Sequence, residues 1–319
     1  MTHKNDTALI VGCKGQDGTL LSRQLSEINV KAYGISRSGL HGPDGKLCGK
    51  VSIGNATAVK ETILTIRPEK IFYLAAYHHS SQEAAASDPM IMRRSFSVHV
   101  FGLLNILQAM LVHAPSARLF YAASSHIFGI PRETPQDETT PMEPISPYGI
   151  SKAAGVNICR MYRQHNNLYC SVGILYNHES PHRSARFVTV KIVRSAVAIE
   201  RGARDRLVLG NLDSKVNWGY APEYTDAMMR ILELDHADDF IISSGRVNTI
   251  RDFVEAVFDY IGLNWRDHVI QDSSLLEKAE MESFFVGDSA RLREATAWRP
   301  HAGIGQIAKI MVDAERQRV

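Results

Sequence analysis

Cysteine, net charge and long apolar runs are all scarce in this sequence of 319 residues. Its four cysteines, Cys13, Cys48, Cys159 and Cys170, show neither CxxC spacing nor a paired framework, which argues against a disulfide scaffold and indicates reduced thiols. Lysine and arginine outnumber aspartate and glutamate by only two, so neither nucleic acid nor an anionic membrane is the expected partner. The start MTHKNDTALIVG is too polar for a signal peptide, and no apolar run approaches the roughly 18 residues that span a bilayer. We therefore predict a cytoplasmic protein.

Short apolar or β-branched runs alternate with amphipathic segments along the first 176 residues. The strand-like runs are 8–11, 31–35, 70–75, 118–123 and 171–176, and the helix-like segments are 17–27, 57–66, 89–113 and 147–165. This alternation is typical of an α/β fold in which helices cover both faces of a parallel sheet. The fold class predicted is a Rossmann-type, doubly wound parallel sheet with a smaller C-terminal substrate-binding lobe.

The alternating pattern loosens after residue 176. A polar segment, NHESPHRSARF, is followed by a helix-like run over 188–201 and a turn at Gly202. We interpret this as chain that leaves the sheet to build the substrate lobe. The predicted Rossmann domain comprises residues 1–176 with a returning segment at about 218–243, and the predicted lobe comprises 177–217 and 244–319.

Three glycines follow the first predicted strand at a spacing typical of a phosphate-binding turn. Gly12, Gly15 and Gly18 form a GxxGxxG pattern in GCKGQDG, directly before a predicted helix. Gly12 permits the tight turn, Gly15 lets the backbone approach a pyrophosphate, and Gly18 lets helix and strand pack closely. The positive end of the helix dipole then faces the phosphates. A lone glycine turn is a weak signal, but its position after the first strand predicts a dinucleotide site.

Arg37 follows the second predicted strand, where an NAD enzyme more often carries an acidic residue for the ribose hydroxyls. A cation at this position suits a 2′-phosphate, so we predict NADP, with NAD less favoured. A solvated loop arginine is the alternative interpretation. Asn55 follows the next strand-like segment and is a candidate for the edge of the adenine.

Tyr148 and Lys152 lie four residues apart at the start of a predicted helix, so they share one face. Tyrosine ordinarily titrates near about 10, and a neighbouring ammonium stabilises the phenolate that would accept a proton from a sugar hydroxyl. Ser124 and Ser125 close the preceding strand. A hydroxyl there can hold the substrate oxygen, although capping is the commoner role of such serines. Together with the glycine turn, these residues predict a reductase-type active site.

With these motifs, the sequence resembles the GDP-mannose 4,6-dehydratases, a branch of the extended short-chain dehydrogenase/reductases, over nearly its full length. The most specific stretches are GxxGQDG, SPYxxSK, LYNHESP, FVTxKI and LGNLDSKxxWG. The resemblance implies an NADP-dependent enzyme whose substrate is a nucleotide-diphosphate sugar, with a GDP-linked sugar favoured. It also implies a homodimer or homotetramer, with part of the contact made by the helix that bears Tyr148 and Lys152.

The resemblance also assigns roles to individual positions. Ser124, Tyr148 and Lys152 would be the catalytic triad, with serine where the family usually has threonine. With the residues discussed above, the predicted cofactor contacts are Gly12, Gly15, Gln16, Asp17, Gly18, Arg37, Asn55, Ala56, Leu74, Ala75, Ala76, Tyr148, Lys152, His178 and Arg183. The predicted substrate contacts are His78, Ser125, Asn177, Glu179, Lys191 and Lys215.

His126 is the departure from the family pattern that bears most on the chemistry. The family has serine-threonine-serine-glutamate where this chain has Ala123-Ser124-Ser125-His126, and the glutamate removes the proton at C5 of the oxidised sugar. Histidine can serve as both base and acid, since neutral imidazole accepts a proton and imidazolium donates one. We therefore predict a 4,6-dehydratase that oxidises C4, eliminates water across C5 and C6, and returns the hydride to C6, with His126 as acid and base.

Two alternative functions follow from the same residues. If His126 abolishes elimination, C4 oxidation and reduction would leave a C4-epimerase or a 4-keto reductase. The second alternative is a catalytically silent NADP-binding sensor, which has no chemical need for both Tyr148 and Lys152. Further departures from the family are Tyr77 with His78, His99, Val190, Val216 and the segment 277–280. Because the histidines His78, His79, His99 and His126 follow no metal-site spacing, we predict no metal.

Overall fold

A computed structural model describes residues 6–77, 88–272 and 285–318 of the chain. The strands are β1 Thr7–Val11, β2 Lys31–Ser36, β3 Gly39–His41, β4 Leu47–Gly49, β5 Lys70–Tyr73, β6 Arg118–Ser124, β7 Tyr169–Leu175, β8 Asn177–Glu179, β9 Leu207–Leu209, β10 Lys215–Val216, β11 Trp218–Tyr220, β12 Asp239–Ile242, β13 Asn248–Thr249 and β14 Val269–Gln271. The α-helices are α1 Gln16–Glu27, α2 Ala56–Ile66, α3 Asp88–Phe96, α4 Gly102–His113, α5 Pro147–Asn166, α6 Val188–Glu200, α7 Ala221–Ile231, α8 Ile250–Ile261, α9 Ala290–Thr296 and α10 Ile304–Arg316.

The central sheet has eight strands in the order β12-β7-β6-β5-β1-β2-β3-β4. The six strands from β12 to β2 are parallel, which confirms the predicted doubly wound α/β fold. The chain reverses its direction of travel across the sheet between β1 and β5. In open α/β sheets, ligands bind at such a crossover point, outside the carboxyl ends of the strands.

The sheet also has an antiparallel edge that the sequence analysis did not predict. Strand β3 pairs antiparallel with β2, and β4 pairs antiparallel with β3. Both strands are only three residues long and lie in the glycine-rich stretch GLHGPDGKLCG. Short strands of this composition carry little β-propensity, so tertiary context decides their conformation.

Helices cover both faces of the sheet. One hydrophobic cluster joins the sheet to α2, α4 and α5, and another joins it to α1 and α7 on the opposite face. The apolar run Ala8–Val11 is fully buried, as expected for a parallel strand covered on both faces. A third cluster is formed mainly by α6, α8 and α10 with β9 and β11. Apart from β11, which falls in the returning segment predicted for the Rossmann domain, this cluster lies in the segments assigned to the substrate lobe. The division at residues 176 and 243 stays a prediction.

One helical stretch contradicts the expectation that no segment is long and apolar enough to span a bilayer. Pro89–His113 is 25 residues long and contains a window with a mean hydropathy of 1.6. Half of that window is buried inside the protein, where α4 packs against α2 and α5. A core helix of a protein without membrane spans passes the same test of length and composition. The stretch is not uniform, because a π-helical turn at Ser97–Phe101 separates α3 from α4.

Candidate active site

The glycine turn lies at the carboxyl end of β1, beside the crossover point of the sheet. Gly12 has a φ of +101°, and a Cβ atom there would lie 2.8 Å from the backbone nitrogen of Ala75. At Gly18, a Cβ atom would lie 2.4 Å from the carbonyl oxygen of Gly12. Helix α1 begins at Gln16, and its N-cap Gly15 offers no side chain to the first turn. The turn thus packs against the segment after β5 and against α1 too closely for a side chain at Gly12 or Gly18. At Gly15 the atom nearest to an added Cβ would be the carbonyl oxygen of Gly12 at 3.3 Å, so the backbone at the start of α1 stays open to approach, which fits the pyrophosphate of a dinucleotide.

The segment after β5 borders this cradle. The N–H of Leu74 donates to the carbonyl of Val11 at 2.8 Å, and Ala75 lies against the glycine turn through the contact with Gly12. Leu74 and Ala75 are half-buried, whereas Ala76 is exposed. The structure therefore brings the predicted cofactor residues of this segment to the glycine turn.

The residues predicted around the adenosine lie on two separate segments, the turn after β2 and the start of α2. Arg37 is exposed in the turn after β2. Asn55 caps α2, because its Oδ1 accepts the N–H of Ala58 at 3.1 Å, and Ala56 is the first residue of that helix. The cap gives Asn55 a structural role, and its contact with the adenine stays a prediction. His78 lies outside the described residues.

A partly buried pair of Asp17 and His178 joins the start of α1 to β8. His178 Nε2 lies 3.0 Å from Asp17 Oδ1, and the imidazole stacks on Tyr224 with ring centroids 4.6 Å apart. Gln16 donates to the carbonyl of His178 at 3.0 Å and accepts from Ser180 at 2.9 Å. Burial raises the pKa of Asp17, but the charge and hydrogen bond of His178 outweigh it and hold that pKa below its ordinary value. Burial lowers the pKa of His178, but Asp17 outweighs this effect and raises it.

Glu179 lies beside Arg183, the cation whose charge acts on both Asp17 and His178. The carboxylate is 1% exposed, accepts the hydroxyl of Thr189 at 2.6 Å and lies 3.4 Å from Arg183 Nε. The guanidinium of Arg183 also lies over the Phe187 ring, 3.5 Å from its centroid. Glu179 is therefore paired with Arg183 and Thr189 inside the protein, and its contact with substrate stays a prediction.

The other predicted substrate residues are spread over the lobe side of the site. Asn177 is exposed at the start of β8, which pairs in parallel with β11. Lys191 is half-buried in the first turn of α6. Lys215 is exposed in β10, opposite Thr249 of β13. Their contact with a nucleotide sugar stays a prediction.

Helix α5, which carries Tyr148 and Lys152, has a well-defined start. Ser146 is its N-cap and accepts the N–H of Gly149 at 3.1 Å, and Pro147 occupies the first turn, where it loses no hydrogen bond. Tyr148 therefore lies in the first turn and is half-buried, while Lys152 lies one turn later and is 1% exposed. These caps fix the position of both side chains against the end of β6.

Burial moves the pKa of Tyr148 away from neutral pH and the pKa of Lys152 towards it. Burial raises the pKa of Tyr148 to about 12, although the hydrogen bond of Ser124 opposes this shift. Burial lowers the pKa of Lys152 to about 7, against the charge of Asp17. Lys152 Nζ donates to the carbonyl of Ala122 at 2.6 Å and lies 5.8 Å from the centre of the Tyr148 ring. The carbonyl of Ala122, rather than the Tyr148 hydroxyl, therefore fixes the position of the Lys152 amine.

His126 lies against Tyr148 at the end of β6. Ser124 caps the 3₁₀ turn Ser125–Phe128, accepting the N–H of His126 at 3.3 Å. The imidazole meets the Tyr148 ring edge-on with centroids 5.7 Å apart and stacks on Phe285 at 5.6 Å. His126 is exposed to solvent, yet desolvation by the neighbouring groups lowers its pKa. Ser125, in contrast, is buried.

A buried histidine behind Tyr148 was not among the predicted site residues. His99 is fully buried in the π-helical turn, and its ring meets Tyr148 edge-on at 5.3 Å. Its Nε2 accepts the N–H of Tyr77 at 3.0 Å, so Nδ1 of the neutral ring donates to Ser151 at 2.7 Å. Ser151 in turn donates to the carbonyl of Tyr148 at 2.9 Å. π-Helical turns occur often at functional sites, but no periodicity in the sequence marks this one.

Comparison with known proteins places the chain by sequence. The family described as GDP-mannose 4,6 dehydratase matches residues 9–311. GDP-mannose 4,6 dehydratase 1 of Arabidopsis thaliana is 32% identical over 337 aligned positions, which cover 98% of this chain and 91% of that protein. Human GDP-mannose 4,6 dehydratase is 31% identical over 355 positions, which cover 99% and 92% of the two chains.

Solved structures show the same fold at lower identity. The structure of RMD from Pseudomonas aeruginosa complexed with NADPH superposes with a TM-score of 0.84 at 21% identity, covering 99% of this chain and 100% of the other. The dTDP-glucose 4,6-dehydratase of Bacillus anthracis in complex with NAD gives 0.80 at 17%, covering 98% and 97%. The chain therefore belongs to the GDP-mannose 4,6 dehydratase family and is an enzyme of the extended short-chain dehydrogenase/reductase type.

Proposed function

We propose that this protein is an NADP-dependent 4,6-dehydratase of a nucleotide-diphosphate sugar, with a GDP-linked sugar favoured. Membership of the family over nearly the whole chain supports the dehydratase reaction. The observation that carries the proposal is the grouping of Tyr148, Lys152 and His126 at the carboxyl end of β6, where the charge of Asp17, at the start of α1, acts on the pKa of both Tyr148 and Lys152. The exposed cation Arg37 after β2 supports NADP over NAD.

The cofactor, when bound at the glycine turn, supplies a hydride acceptor for C4 and returns that hydride to C6. Tyr148 takes the proton of the C4 hydroxyl, so the first step leaves a C4 ketone. Ser124 holds the same oxygen and lowers the pKa of Tyr148. The positive charge of oxidised nicotinamide would lower it further, because an opposite charge favours the phenolate.

His126 carries the elimination in this mechanism. Desolvation lowers its pKa, so the ring is neutral near pH 7 and ready to accept the C5 proton, which the C4 ketone has acidified. The imidazolium then gives a proton to the C6 hydroxyl, which leaves as water. After the hydride returns to C6, Tyr148 gives C5 the proton that it took from the C4 hydroxyl, or one exchanged for it with solvent, so Tyr148 is a phenolate again and the net change is the loss of one water. The stack on Phe285 orients the ring during both transfers.

The two alternatives are not favoured. The matched relatives are dehydratases, and histidine supplies the acid and base chemistry that elimination needs. A silent NADP-binding sensor does not explain why a lysine is buried at a cost beside Tyr148.

Exposed apolar side chains on the π-helical turn Ser97–Phe101 and on helices α4 and α5 support the proposed homodimer or homotetramer. Phe101, Val112 and Met161, on the π-helical turn, α4 and α5, are 58%, 69% and 44% exposed. Clusters of such residues mark interaction surfaces. Light scattering on the purified protein tests this, and a monomer at micromolar concentration would contradict it.

Incubation with GDP-mannose and other nucleotide sugars in deuterated water tests the proposed reaction. We expect a product that has lost one water and carries deuterium at C5. His126→Ala should stop elimination yet still allow transient formation of NADPH, which its fluorescence reports. The control is His165→Ala, an exposed histidine 17 residues beyond Tyr148 on α5, about 25 Å away along the helix. An unchanged dehydration rate in His126→Ala would defeat the assignment, and inversion at C4 without loss of water would establish the epimerase.

A further inference from the structure

A cluster of two serines and a histidine lies at the carboxyl end of β2, on either side of Arg37. Ser36 Oγ and Ser38 Oγ are 2.8 Å apart. His41 Nε2 lies 2.9 Å from the first and 3.1 Å from the second, and the N–H of Ser38 donates to Ser36 Oγ at 3.1 Å. His41 is buried, whereas Ser38 is exposed. The cluster thus runs from a buried imidazole to a hydroxyl at the surface.

The second ring nitrogen fixes the tautomer of His41. Nδ1 lies 3.2 Å from the carbonyl oxygen of Gly45, and a carbonyl can only accept, so Nδ1 carries a hydrogen. In the neutral ring, Nε2 is then an acceptor. One serine hydroxyl donates to it and the other donates across the serine pair, so that both hydroxyl hydrogens are used inside the cluster.

Protonation of His41 reverses this pattern. Nε2–H then donates to a serine oxygen, and the contact between Ser36 and Ser38 needs only one hydroxyl hydrogen. The other hydroxyl is free to donate outward, and the ring adds a positive charge. An anion at this place therefore meets only oxygen lone pairs from the neutral cluster, and a donor with a cation behind it from the protonated cluster.

The cluster borders the part of the Rossmann fold that reads the ribose. His41 is the register partner of Gly34 in β2, and a Cβ atom at Gly34 would lie 2.4 Å from Cys13 Cβ of the glycine turn. His41 also lines a cavity of about 370 Å³ together with Lys14 of that turn. In folds of this kind, the end of the second strand contacts the 2′ position of the adenosine ribose.

We propose that His41 is a specificity-determining residue for NADP, which makes binding of the 2′-phosphate depend on uptake of one proton by the cluster of Ser36, Ser38 and His41. This inference rests on the proposed use of NADP and adds how the 2′-phosphate is read. Arg37 supplies a permanent charge, and the cluster supplies a charge and a hydrogen-bond donor that appear together.

Other ionisable groups surround the cluster. They are Cys13 and Lys14 in the glycine turn, Lys31 and Arg37 on β2 and the turn after it, Asp44 and Lys46 in the turn between β3 and β4, and Cys48 on β4. Histidine is the side chain that most often titrates between pH 5 and 8. Over that range the ligand also titrates, because a phosphate monoester has a second pKa of about 6. The test must therefore separate the protein's proton from the ligand's.

Calorimetric titrations with NADPH and NADH, between pH 6 and 8 in two buffers of different ionisation enthalpy, make this separation. For the natural protein we expect proton uptake when NADPH binds. Its affinity for NADPH should then fall by up to about tenfold for each unit by which the pH rises. His41→Gln keeps an amide that hydrogen-bonds to the serines but binds no proton, so it should lose this uptake and retain only the contribution of the phosphate. Affinity for NADH should change by less than about twofold in both proteins, since NADH brings no second charge to the cluster.

His165→Gln is the matched control and should titrate like the natural protein. Ser38→Ala, at an exposed position, is a second variant and should weaken NADPH while sparing NADH. Equal proton uptake by the natural protein and His41→Gln would overturn the inference, as would equal loss of NADH and NADPH affinity in Ser38→Ala. If the natural protein binds NADH as tightly as NADPH at pH 6, the proposed use of NADP fails instead.

Discussion

Replacing Lys152 by Met should make the protein without cofactor more stable, although it removes a proposed catalytic residue. Lys152 is 1% exposed, and burial lowers its pKa from 10.5 to about 7. A difference of 3.5 pKa units corresponds to about 5 kcal/mol of penalty for holding the ammonium in the folded chain. Met has a similar length and no charge, so it relieves that penalty.

Part of this gain is offset. Lys152 Nζ donates to the carbonyl of Ala122 at 2.6 Å, and losing a partner of this kind costs about 1–3 kcal/mol. We therefore expect Lys152→Met to raise the free energy of unfolding by about 2 kcal/mol at pH 7. The gain should disappear at higher pH.

The pH dependence has a definite sign. Below about pH 7 the lysine is protonated in both the folded and the unfolded chain, so the natural protein carries the full penalty. Between about 7 and 10.5 the unfolded chain binds a proton that the folded chain has released, so stability rises with pH by up to about 1.4 kcal/mol per unit. Above that range the penalty is gone, and the lost hydrogen bond makes the variant the less stable protein.

Urea unfolding of the natural protein and of Lys152→Met, at several pH values between 6 and 10, measures this pH dependence. The difference between the two curves isolates Lys152, since all other titrating groups are shared. Lys60→Met, at an exposed position of α2, is the control and should show no such trend. A difference that stays constant over this range, or a variant that is less stable at pH 6, would refute the reasoning. Confirmation would mean that the amine is kept at the expense of stability, a trade-off common in active sites.

Three further predictions concern the cofactor site and its support. Gly18→Ala should lower NADPH affinity by about tenfold or more, because its Cβ would lie 2.4 Å from a backbone oxygen and such overpacking costs about 1–3 kcal/mol. In Gly305→Ala, the control, the added Cβ would have no atom within 4 Å, so the NADPH affinity measured by fluorescence titration should not change. His99→Asn keeps a hydrogen-bond donor at the Nδ1 position, whereas His99→Gln does not. Because we expect His99 to position Tyr148, kcat should fall by about tenfold more in the Gln variant than in the Asn variant. Equal kcat values in the two variants would contradict this role of His99. Asp17→Asn should destabilise the protein most between about pH 4 and 6.5. The lowered pKa of Asp17 contributes stability above pH 3.8, and the raised pKa of His178 contributes stability below pH 6.5. Denaturation curves of the variant and the natural protein that differ equally at pH 8 and pH 5 would exclude this.

Apolar runs located the parallel strands and their helices, because a strand buried on both faces needs a continuous apolar sequence. The predicted strand over 70–75 nevertheless ends at Tyr73, since Leu74 and Ala75 leave the sheet to pass the glycine turn. The edge strands β3 and β4 were missed because glycine and polar residues dominate them. That miss concealed the place of His41 beside Ser36, which arises only from antiparallel pairing with β2.

The four-residue spacing of Tyr148 and Lys152 predicted that they lie together, but it did not predict their electrostatics. Spacing shows that Tyr148 and Lys152 share a helix face; it does not show how deeply each is buried or which carbonyl accepts from the amine. The expectation that the ammonium lowers the pKa of the phenol does not describe the protein without ligands, in which the pKa of Tyr148 is raised to about 12. His99 was likewise noticed only as a departure, because its contact with Tyr148 depends on the π-helical turn.

The edge-on contact between His126 and Tyr148 gives a physical reason why histidine can replace the family's glutamate. Tyr148 must become a phenolate before C4 is oxidised, and burial already makes this costly. A carboxylate in place of His126, at a ring whose centroid is 5.7 Å away, would put a second negative charge beside the phenolate and raise that pKa further. Neutral imidazole adds no such charge. It becomes a cation only after Tyr148 has accepted the C4 proton and is neutral again, so at each step of the proposed reaction only one of the two side chains carries a charge.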